Sequence, residues 1–295
     1  MHIVTIGASG QVARALVEYG SRNSVQVTAM GRPNFDLTKP DIMHSVIRAA
    51  SADIIVNAGA YTAVDDAEQN QDIAYDVNAR GPTFLARCAR DLDIPLIHLS
   101  TDYVFDGEKD EPYTEEDPTS PFSQYGKTKA AGELGVLETN SDYAILRTAW
   151  VFSPYGRNFV TNMLRLARQQ RSIRVVCDQY GSPTYALDLA AGIISIARSL
   201  INNRSDAKLR GIFHIAGRGY ASWAEVANAI FKYSRCHDGP VAEVIPISTA
   251  DYGAAARRPR NSKLNCNKLA RIHGITLPPW SSALQICVGR LLTAA

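Results

Sequence analysis

The sequence has no apolar run long enough to cross a bilayer and no excess of one charge. Apolar stretches end within about ten residues, whereas a membrane-spanning helix needs roughly 20. The 31 basic and 29 acidic side chains nearly cancel, and the longest Lys/Arg run is the pair Arg257-Arg258. We therefore expect no membrane span and no nucleic-acid partner, and any anionic ligand should be small.

Cysteine is scarce and unpatterned. The five cysteines are Cys88, Cys177, Cys236, Cys266 and Cys287. Their odd number and wide spacing, without a CxxC or Cys/His cluster, indicate reduced thiols and no metal site. The first residues run into a glycine loop and lack the features of a signal peptide. We expect a cytoplasmic protein.

What is present is the alternation of strands and helices that is typical of a doubly wound parallel sheet. The predicted strands of the first half are 2–6, 25–29, 53–57, 95–99 and 143–146, with helices at 11–19, 41–50 and 73–91. After about residue 150 the pattern is irregular, with helices at 157–169, 187–200 and 223–233 and strands at 172–176 and 211–215.

These patterns predict an α/β fold with two unequal parts. Residues 1–150 should form a Rossmann-like, NADPH-binding domain, which later segments at about 172–215 rejoin. Residues 151–295 should form mainly a smaller, discontinuous substrate lobe. With 46% hydrophobic residues, the chain can build a core for each part.

A glycine loop follows the first predicted strand and opens the first helix. Gly7 allows a tight turn, and Gly10 allows a pyrophosphate to approach the backbone at Gln11 and Val12. The N–H groups and the helix dipole would hold the phosphates. Other βα turns also use glycines, but the position of this loop predicts dinucleotide binding.

The end of the second strand favours NADPH over NADH. An NAD-selective site carries an acid there for the ribose 2'-hydroxyl, whereas this chain has Arg32, which can pair with a 2'-phosphate. Asp36 and Leu37 follow and could flank the adenine. A solvated loop arginine is the alternative, and NADH stays open as a cofactor.

Tyr125 and Lys129 form the first part of a reactive set. They are four residues apart, and therefore on one face of a helix. A nearby ammonium favours the phenolate of a tyrosine, whose ordinary pKa is about 10. The pair could then exchange the proton that accompanies hydride transfer.

Thr101 ends the fourth strand, where open sheets bind ligands, and could hold a carbonyl oxygen. The alternative role, a cap or turn, fits Asp102 better than Thr101.

A third element ends at the same edge of the sheet. After the third strand come Gly59, Ala60 and Tyr61, where small residues would let a nicotinamide lie against the backbone. We therefore expect these three residues to bind the cofactor, together with Tyr125 and Lys129.

With these residues, the chain resembles the extended short-chain dehydrogenase/reductase family, and within it the enzymes that reduce dTDP-linked ketosugars. The motifs that carry the likeness span nearly the whole chain: 7–12, 57–65, 100–107, 125–127, 147–152, 178–184, 258–259 and 262–264. The resemblance implies NADPH-dependent reduction of the C4 ketone of dTDP-6-deoxy-L-lyxo-4-hexulose to dTDP-L-rhamnose, a step of cell-surface polysaccharide biosynthesis.

The resemblance also implies roles for residues. It makes Thr101, Tyr125 and Lys129 catalytic and puts Asp102, Tyr103 and Trp150 beside the sugar. Trp150 offers a flat apolar wall, although a core position is the commoner fate of a tryptophan. Arg258, with Arg257, could meet the diphosphate or lie in a solvated turn.

The chain departs from members of the family that are magnesium-linked dimers. Those members use glutamates near the first helix and after a Pro-Thr segment, where this chain has Arg14-Ala15 and Asp188. We therefore expect no Mg²⁺ and a monomer or weak homodimer.

Four other functions fit parts of the pattern. A sugar 4,6-dehydratase needs a glutamate after the Thr-Asp pair, but this chain has Tyr103. A sugar 4-epimerase, which holds NAD throughout its cycle, or another ketosugar reductase stays open. A non-catalytic binding subunit is disfavoured by the complete Thr/Tyr/Lys set.

Overall fold

The protein is described by a computed structural model that covers residues 1–293. The strands are β1 (His2–Ile6), β2 (Gln26–Met30), β3 (Ile54–Asn57), β4 (Leu96–Thr101), β5 (Tyr143–Thr148), β6 (Val151–Phe152), β7 (Ser172–Val176), β8 (Tyr180–Gly181), β9 (Thr184–Tyr185), β10 (Gly211–His214), β11 (Ala221–Ser222), β12 (Glu243–Ile247) and β13 (Asn261–Ser262). The helices are α1 (Gln11–Arg22), α2 (Pro40–Ala50), α3 (Val64–Ala67), α4 (Gln71–Tyr75), α5 (Gly81–Asp91), α6 (Gln124–Thr139), α7 (Phe159–Ala167), α8 (Ala186–Asn202), α9 (Trp223–Arg235), α10 (Thr249–Tyr252), α11 (Asn267–His273) and α12 (Trp280–Thr293). Short 3₁₀ turns cover Asp102–Val104 and Ala207–Leu209.

The main sheet confirms the predicted Rossmann-like fold. Its six strands are all parallel and run in the order β10-β5-β4-β3-β1-β2. The strand order reverses where the chain passes from β2 to β3 on the other side of β1. In such sheets, ligands bind at the carboxyl edge beside this switch point.

Burial explains why the sequences of the central strands are mostly apolar. Both β3 and β4 are buried along their whole length, because helices cover both faces of a parallel sheet. Helices α1 and α8 pack on one face, and α2 and α5 cover the other. The polar residues of these strands, Asn57, His98, Ser100 and Thr101, are therefore buried and need partners.

The smaller lobe is built around a second core. Apolar residues of α7, α9 and α12 pack against β7, which pairs in parallel with β12. Within the range 172–215, which we expected to rejoin the first domain, α8 and β10 do lie with the main sheet, whereas β7 belongs to the smaller lobe.

The helix predicted at 73–91 is broken into three pieces. Between α4 and α5 the segment Asp76–Arg80 forms a π-helical turn. Its buried Asn78 binds both backbone groups of Tyr61, accepting from N–H at 2.8 Å and donating to C=O at 3.1 Å. Asn78 also donates to the Thr128 hydroxyl at 3.0 Å. The local widening therefore fixes the loop after β3 against α6, and π-turns often occur beside functional sites.

Two negative findings apply to residues 1–293. No helix there has the length and apolar character to cross a membrane. No group of three or more His, Cys, Asp or Glu side chains in that range could hold a metal ion.

Candidate active site

The glycine loop has the conformation that the sequence predicts. Gly7 adopts φ +99°, and a Cβ at this position would lie 2.8 Å from the Gly59 Cα. Only glycine fits there, because the backbones after β1 and β3 touch. Gly10 is the N-cap of α1 and supplies no side-chain cap. The first N–H groups of α1 therefore keep donor capacity for a phosphate.

A cavity of about 440 Å³ opens between this loop and the ends of β2 and β3. Six of the expected cofactor residues line it: Gly7, Arg32, Asp36, Leu37, Gly59 and Ala60. Sequence reasoning missed others on its wall, notably Ser9, Gly31 and Thr38. The close glycine backbones and the Arg32 guanidinium at the cavity fit a dinucleotide that carries a 2'-phosphate.

The other expected cofactor residues lie beside this cavity rather than in its wall. The Gln11 side chain donates to the Val151 carbonyl at 3.3 Å and accepts from the Ser153 hydroxyl at 2.7 Å. Val12 packs against the main core, and the Tyr61 hydroxyl is bound by Asp66. The side chains of Gln11 and Tyr61 thus hold neighbouring loops together.

Asp36 is held within its own turn. Its carboxylate accepts from the backbone N–H and the hydroxyl of Thr38, at 3.0 and 2.9 Å. The backbone bond from Thr38 is the main cause that lowers the pKa of Asp36, with Arg32 adding to it. Asp36 is therefore ionised and fixed beside Arg32.

The structure brings Thr101 and Tyr125 together at the carboxyl end of β4. The Thr101 hydroxyl lies close enough to the Tyr125 phenol to lower the pKa of that group. It also donates to Asp102 Oδ1 at 3.0 Å and accepts the Tyr103 N–H at 3.2 Å. Thr101 therefore caps the short 3₁₀ turn, a role that the sequence had suggested for Asp102 instead.

Tyrosine rings surround the reactive phenol. The rings of Tyr103 and Tyr125 meet edge to face, with centroids 5.5 Å apart. Tyr61 packs against the same cluster, so the loop after β3 and the helix α6 share one apolar patch. Trp150, on the loop after β5, packs instead against the cluster that contains Val104 and Phe105.

Lys129 points into the sheet rather than toward Tyr125. Its Nζ donates to the Leu99 carbonyl at 2.7 Å and lies 3.4 Å from His98 Nε2. Burial lowers the pKa of Lys129 to about 8, and Glu133, one turn further along α6, opposes this shift. A lysine with this pKa can exchange a proton near neutral pH.

The expected lowering of the Tyr125 pKa by Lys129 is not found. Burial raises the pKa of Tyr125 to about 12, against the Thr101 hydrogen bond, which lowers it. The physical reason is that the Lys129 ammonium is bound to β4 and the phenol is desolvated. Tyr125 is therefore a neutral acid in this state, poised to donate its proton.

Asp102 is a buried carboxyl beside the reactive set. Burial raises its pKa to about 6, although Ser262 and Thr101 lower it through hydrogen bonds. Ser262 comes from β13, near the end of the chain. Asp102 Oδ1 accepts from Thr101, whereas Asp102 Oδ2 has no hydrogen-bond partner among residues 1–293.

A buried ion pair supports the helix that carries Tyr125 and Lys129. Arg147 of β5 binds Glu133 of α6 through two bonds of 2.9 and 2.7 Å. Both side chains are under 7% exposed. Sequence reasoning missed this pair, although Glu133 stands four residues after Lys129 on the same helix face.

Trp150 is held in an unusual conformation by aromatic packing. Its φ is +48°, a value that non-glycine residues rarely adopt. Its ring stacks on Trp223 with centroids 3.5 Å apart, and Gly181 leaves room beside it. Trp223, which no motif indicated, therefore fixes the orientation of Trp150, and Phe159 packs on Trp223 in turn.

Arg258 lies on the wall of two cavities. One, of about 860 Å³, is lined by Arg257, Arg258 and Arg260, and the other, of about 300 Å³, by Phe159, Trp223 and Tyr252 as well. Arg258 is bound at 2.6 Å by Asp65. Asp65 comes just after the loop of residues 58–63 that follows β3, the cofactor loop. In contrast, Arg257 pairs with Glu108 at the surface. Of the two arginines, Arg258 is the one close enough to Tyr103 to lower the pKa of its phenol, against the larger effect of burial.

Comparison with known proteins places these features in a family. A family model described as the RmlD substrate binding domain matches residues 1–293. A dTDP-4-dehydrorhamnose reductase of Sinorhizobium fredii is 47% identical over 292 residues, which is 99% of this chain and 98% of that protein. A probable dTDP-4,6-dihydroxy-2-methyloxan-3-one 4-ketoreductase of Streptomyces antibioticus is 36% identical, over 100% of this chain and 97% of that one.

A solved structure is similar over the same length. The dTDP-4-dehydrorhamnose reductase of Bacillus anthracis, in complex with NADP, aligns with a TM-score of 0.88 and 35% identity. The alignment covers 97% of this chain and 98% of that one. Both the sequence and the fold are therefore shared over the full length.

Proposed function

The chain belongs to the family described as the RmlD substrate binding domain, and on this premise we propose that it is an oxidoreductase that reduces the C4 ketone of dTDP-6-deoxy-L-lyxo-4-hexulose to dTDP-L-rhamnose with NADPH. The relatives named for this reaction match nearly its whole length. The observation that supports the proposal most is the placement of Thr101 beside Tyr125 at the carboxyl edge of the sheet.

The cofactor is proposed to occupy the 440 Å³ cavity. Gly7, Gly59 and Ala60 allow its close approach, and Arg32 would pair with the 2'-phosphate. Asp36 and Leu37 would border the adenine side, and Tyr61 and Lys129 the nicotinamide side. When bound, NADPH supplies the hydride that reduces C4.

The chain itself supplies the proton. The Thr101 hydroxyl can hold the ketone oxygen, and Tyr125, which is neutral because burial raises its pKa to about 12, donates its phenolic proton to that oxygen. Lys129, whose pKa of about 8 lies near neutrality, is proposed to restore the proton of Tyr125, for which its ammonium must leave the Leu99 carbonyl and turn toward the phenol. Asp102, Tyr103 and Trp150 would surround the sugar.

Arg258 is proposed to bind the diphosphate. It lies on the walls of the 860 Å³ and 300 Å³ cavities, and its guanidinium already binds one anionic group, Asp65. A diphosphate carries more charge than this carboxylate and can bind a guanidinium through two bonds instead of one. The nucleoside would then lie in one of these cavities, in the smaller lobe.

A coupled assay tests the proposal. dTDP-glucose is converted by a 4,6-dehydratase and a 3,5-epimerase, and NADPH absorbance is followed with and without this protein. Consumption that depends on the protein is expected. If well-folded protein consumes no NADPH, the assigned substrate is wrong.

The key variant of this assay is Tyr125→Phe. Because it removes the proton donor but not the ring, NADPH binding should be nearly unchanged while kcat falls by about a hundredfold or more. Fluorescence titration of NADPH and steady-state kinetics measure the two quantities. Turnover close to that of the unmodified protein would overturn the role of Tyr125.

The relative from Streptomyces antibioticus favours a second candidate, a reductase of a different dTDP-linked ketosugar. The same assay with dTDP-4,6-dihydroxy-2-methyloxan-3-one, the substrate in that relative's name, separates the two. Stoichiometric NAD in the purified protein would instead favour a 4-epimerase.

A further inference from the structure

A buried chain of polar groups joins the cofactor loop to Lys129. The Gly59 N–H donates to Asn57 Oδ1 at 3.2 Å, and Asn57 Nδ2 lies 3.0 Å from His98 Nδ1. The other ring nitrogen of His98, Nε2, lies 3.4 Å from Lys129 Nζ. Asn57 and His98 are completely buried. The reaction proposed above assigns no role to either residue.

The chain of contacts fixes the hydrogen atoms of His98. A backbone N–H can only donate, so the Asn57 atom that faces Gly59 must be the carbonyl oxygen, and the amide nitrogen must face His98. His98 Nδ1 therefore accepts a hydrogen bond. Burial, with a contribution from Lys129, lowers the pKa of His98 well below its usual value, so the ring is neutral. The single ring proton is then on Nε2, which faces Lys129.

This arrangement distinguishes the two protonation states of Lys129. An ammonium has three donors and no lone pair, so it cannot accept from the Nε2–H of His98. A neutral amine can accept from that group while it still donates to the Leu99 carbonyl, which lies 2.7 Å away. The amine is the state that Lys129 reaches once it has given up its proton.

We propose that Asn57 and His98 are positioning residues that hold the Nε2–H of His98 toward Lys129 and thereby favour release of the lysine proton toward Tyr125. The part of this inference that concerns catalysis rests on the proposed function. Gly59, in the loop that would contact the cofactor, is the first group in this series of hydrogen bonds. Neither Asn57 nor His98 touches the reacting atoms.

Few other titratable groups face Lys129. On α6 itself these are Glu133, one turn later, and Tyr125, one turn earlier. Glu133 opposes the effect of His98 and is in turn paired with Arg147 of β5. The 3₁₀ turn that packs on α6 carries Asp102 and Tyr103, beside Tyr125. The π-helical turn presents Asn78, which does not titrate.

The hydrogen position can be measured directly. Nitrogen-15 NMR of histidine-labelled protein distinguishes the two neutral tautomers and the charged ring, and His98→Gln identifies the signal. Neutral His98 with its proton on Nε2 is expected at pH 7. A proton on Nδ1, or a charged ring, would overturn the proposal. This measurement needs neither substrate nor turnover.

The substitution Asn57→Asp tests the link to Lys129. A carboxylate can still accept from Gly59 but can only accept from His98, so the ring proton should move to Nδ1 and Nε2 should face Lys129 as an acceptor. The ammonium is then favoured, and the high-pH limb of kcat for NADPH oxidation, which includes the restoration of Tyr125, should move up by about one pH unit.

The control is the same substitution in the His98→Gln background, because the new carboxylate could act on Lys129 through space. If His98 transmits the effect, Asn57→Asp should shift the limb much less in that background. An equal shift in both backgrounds would overturn the role of His98. His98→Asn is a second variant, which keeps the Asn57 side of the contact and removes Nε2. If the unmodified protein shows no turnover, only the proposed function is refuted. The tautomer of His98 is measured by NMR and does not depend on turnover.

Discussion

At the scale of single residues, Arg32 decides the proposed preference for NADPH. Its guanidinium borders the 440 Å³ cavity beside Gly31 and Asp36. Loss of a charged hydrogen bond to a 2'-phosphate costs about tenfold or more in affinity. Arg32→Ala should therefore lower the ratio of kcat/KM for NADPH to that for NADH by this amount. Arg14→Ala is the control, since Arg14 stacks on Tyr155 elsewhere. An unchanged ratio would refute the assignment.

The raised pKa of Asp102 predicts how the free energy of unfolding depends on pH. Its folded pKa of about 6 is above the ordinary value of 3.8, so its stabilising contribution is complete below pH 3.8 and is lost as the pH rises through 6. Relative to Asp102→Asn, the free energy of unfolding should fall by about 3 kcal/mol between pH 4 and 7. Urea unfolding of both proteins measures this difference. A constant difference across the range would contradict it.

At the scale of elements, the Glu133–Arg147 pair fixes α6 against β5. Glu133→Gln leaves Arg147 buried without a counter-charge, which should cost about 3–5 kcal/mol of stability. The surface pair Asp76–Arg80 is the matched control, since both side chains are well exposed. Asp76→Asn should change stability by less than about 1 kcal/mol. Equal losses in the two variants by urea unfolding would show that burial is not the cause.

The elements also show how far local sequence patterns reach. The predicted strand 172–176 and the start of α1 agree with the structure, because apolar periodicity and a glycine turn are local signals. The π-helical turn inside the predicted helix 73–91 was not foreseen, because its cause is the contact of Asn78 with Tyr61 and Thr128. A single sequence does not show which distant residues, such as Tyr61 and Thr128, will contact Asn78.

At the scale of the whole molecule, the Asp65–Arg258 pair joins the cofactor loop to the C-terminal segment. Asp65 also accepts the Ala256 N–H at 2.9 Å. If Arg258 binds the substrate diphosphate, Asp65→Asn should change KM for the sugar nucleotide severalfold while the KM for NADPH stays nearly constant. Glu108→Gln, which releases the exposed Arg257, is the matched control. The prediction fails if both variants change the KM for the sugar nucleotide alike.

The sequence by itself determined the α/β class, the glycine loop, and the candidate reactive residues Thr101, Tyr125 and Lys129. These features depend on periodicity, on backbone conformations that only glycine adopts, and on spacing along one helix. The tertiary structure decided which groups meet. It turned Lys129 toward His98 and Leu99 instead of Tyr125, because buried donors must find partners across the sheet. It also placed Trp223 under Trp150. Those partners are far apart in the chain, so folding alone brings them together.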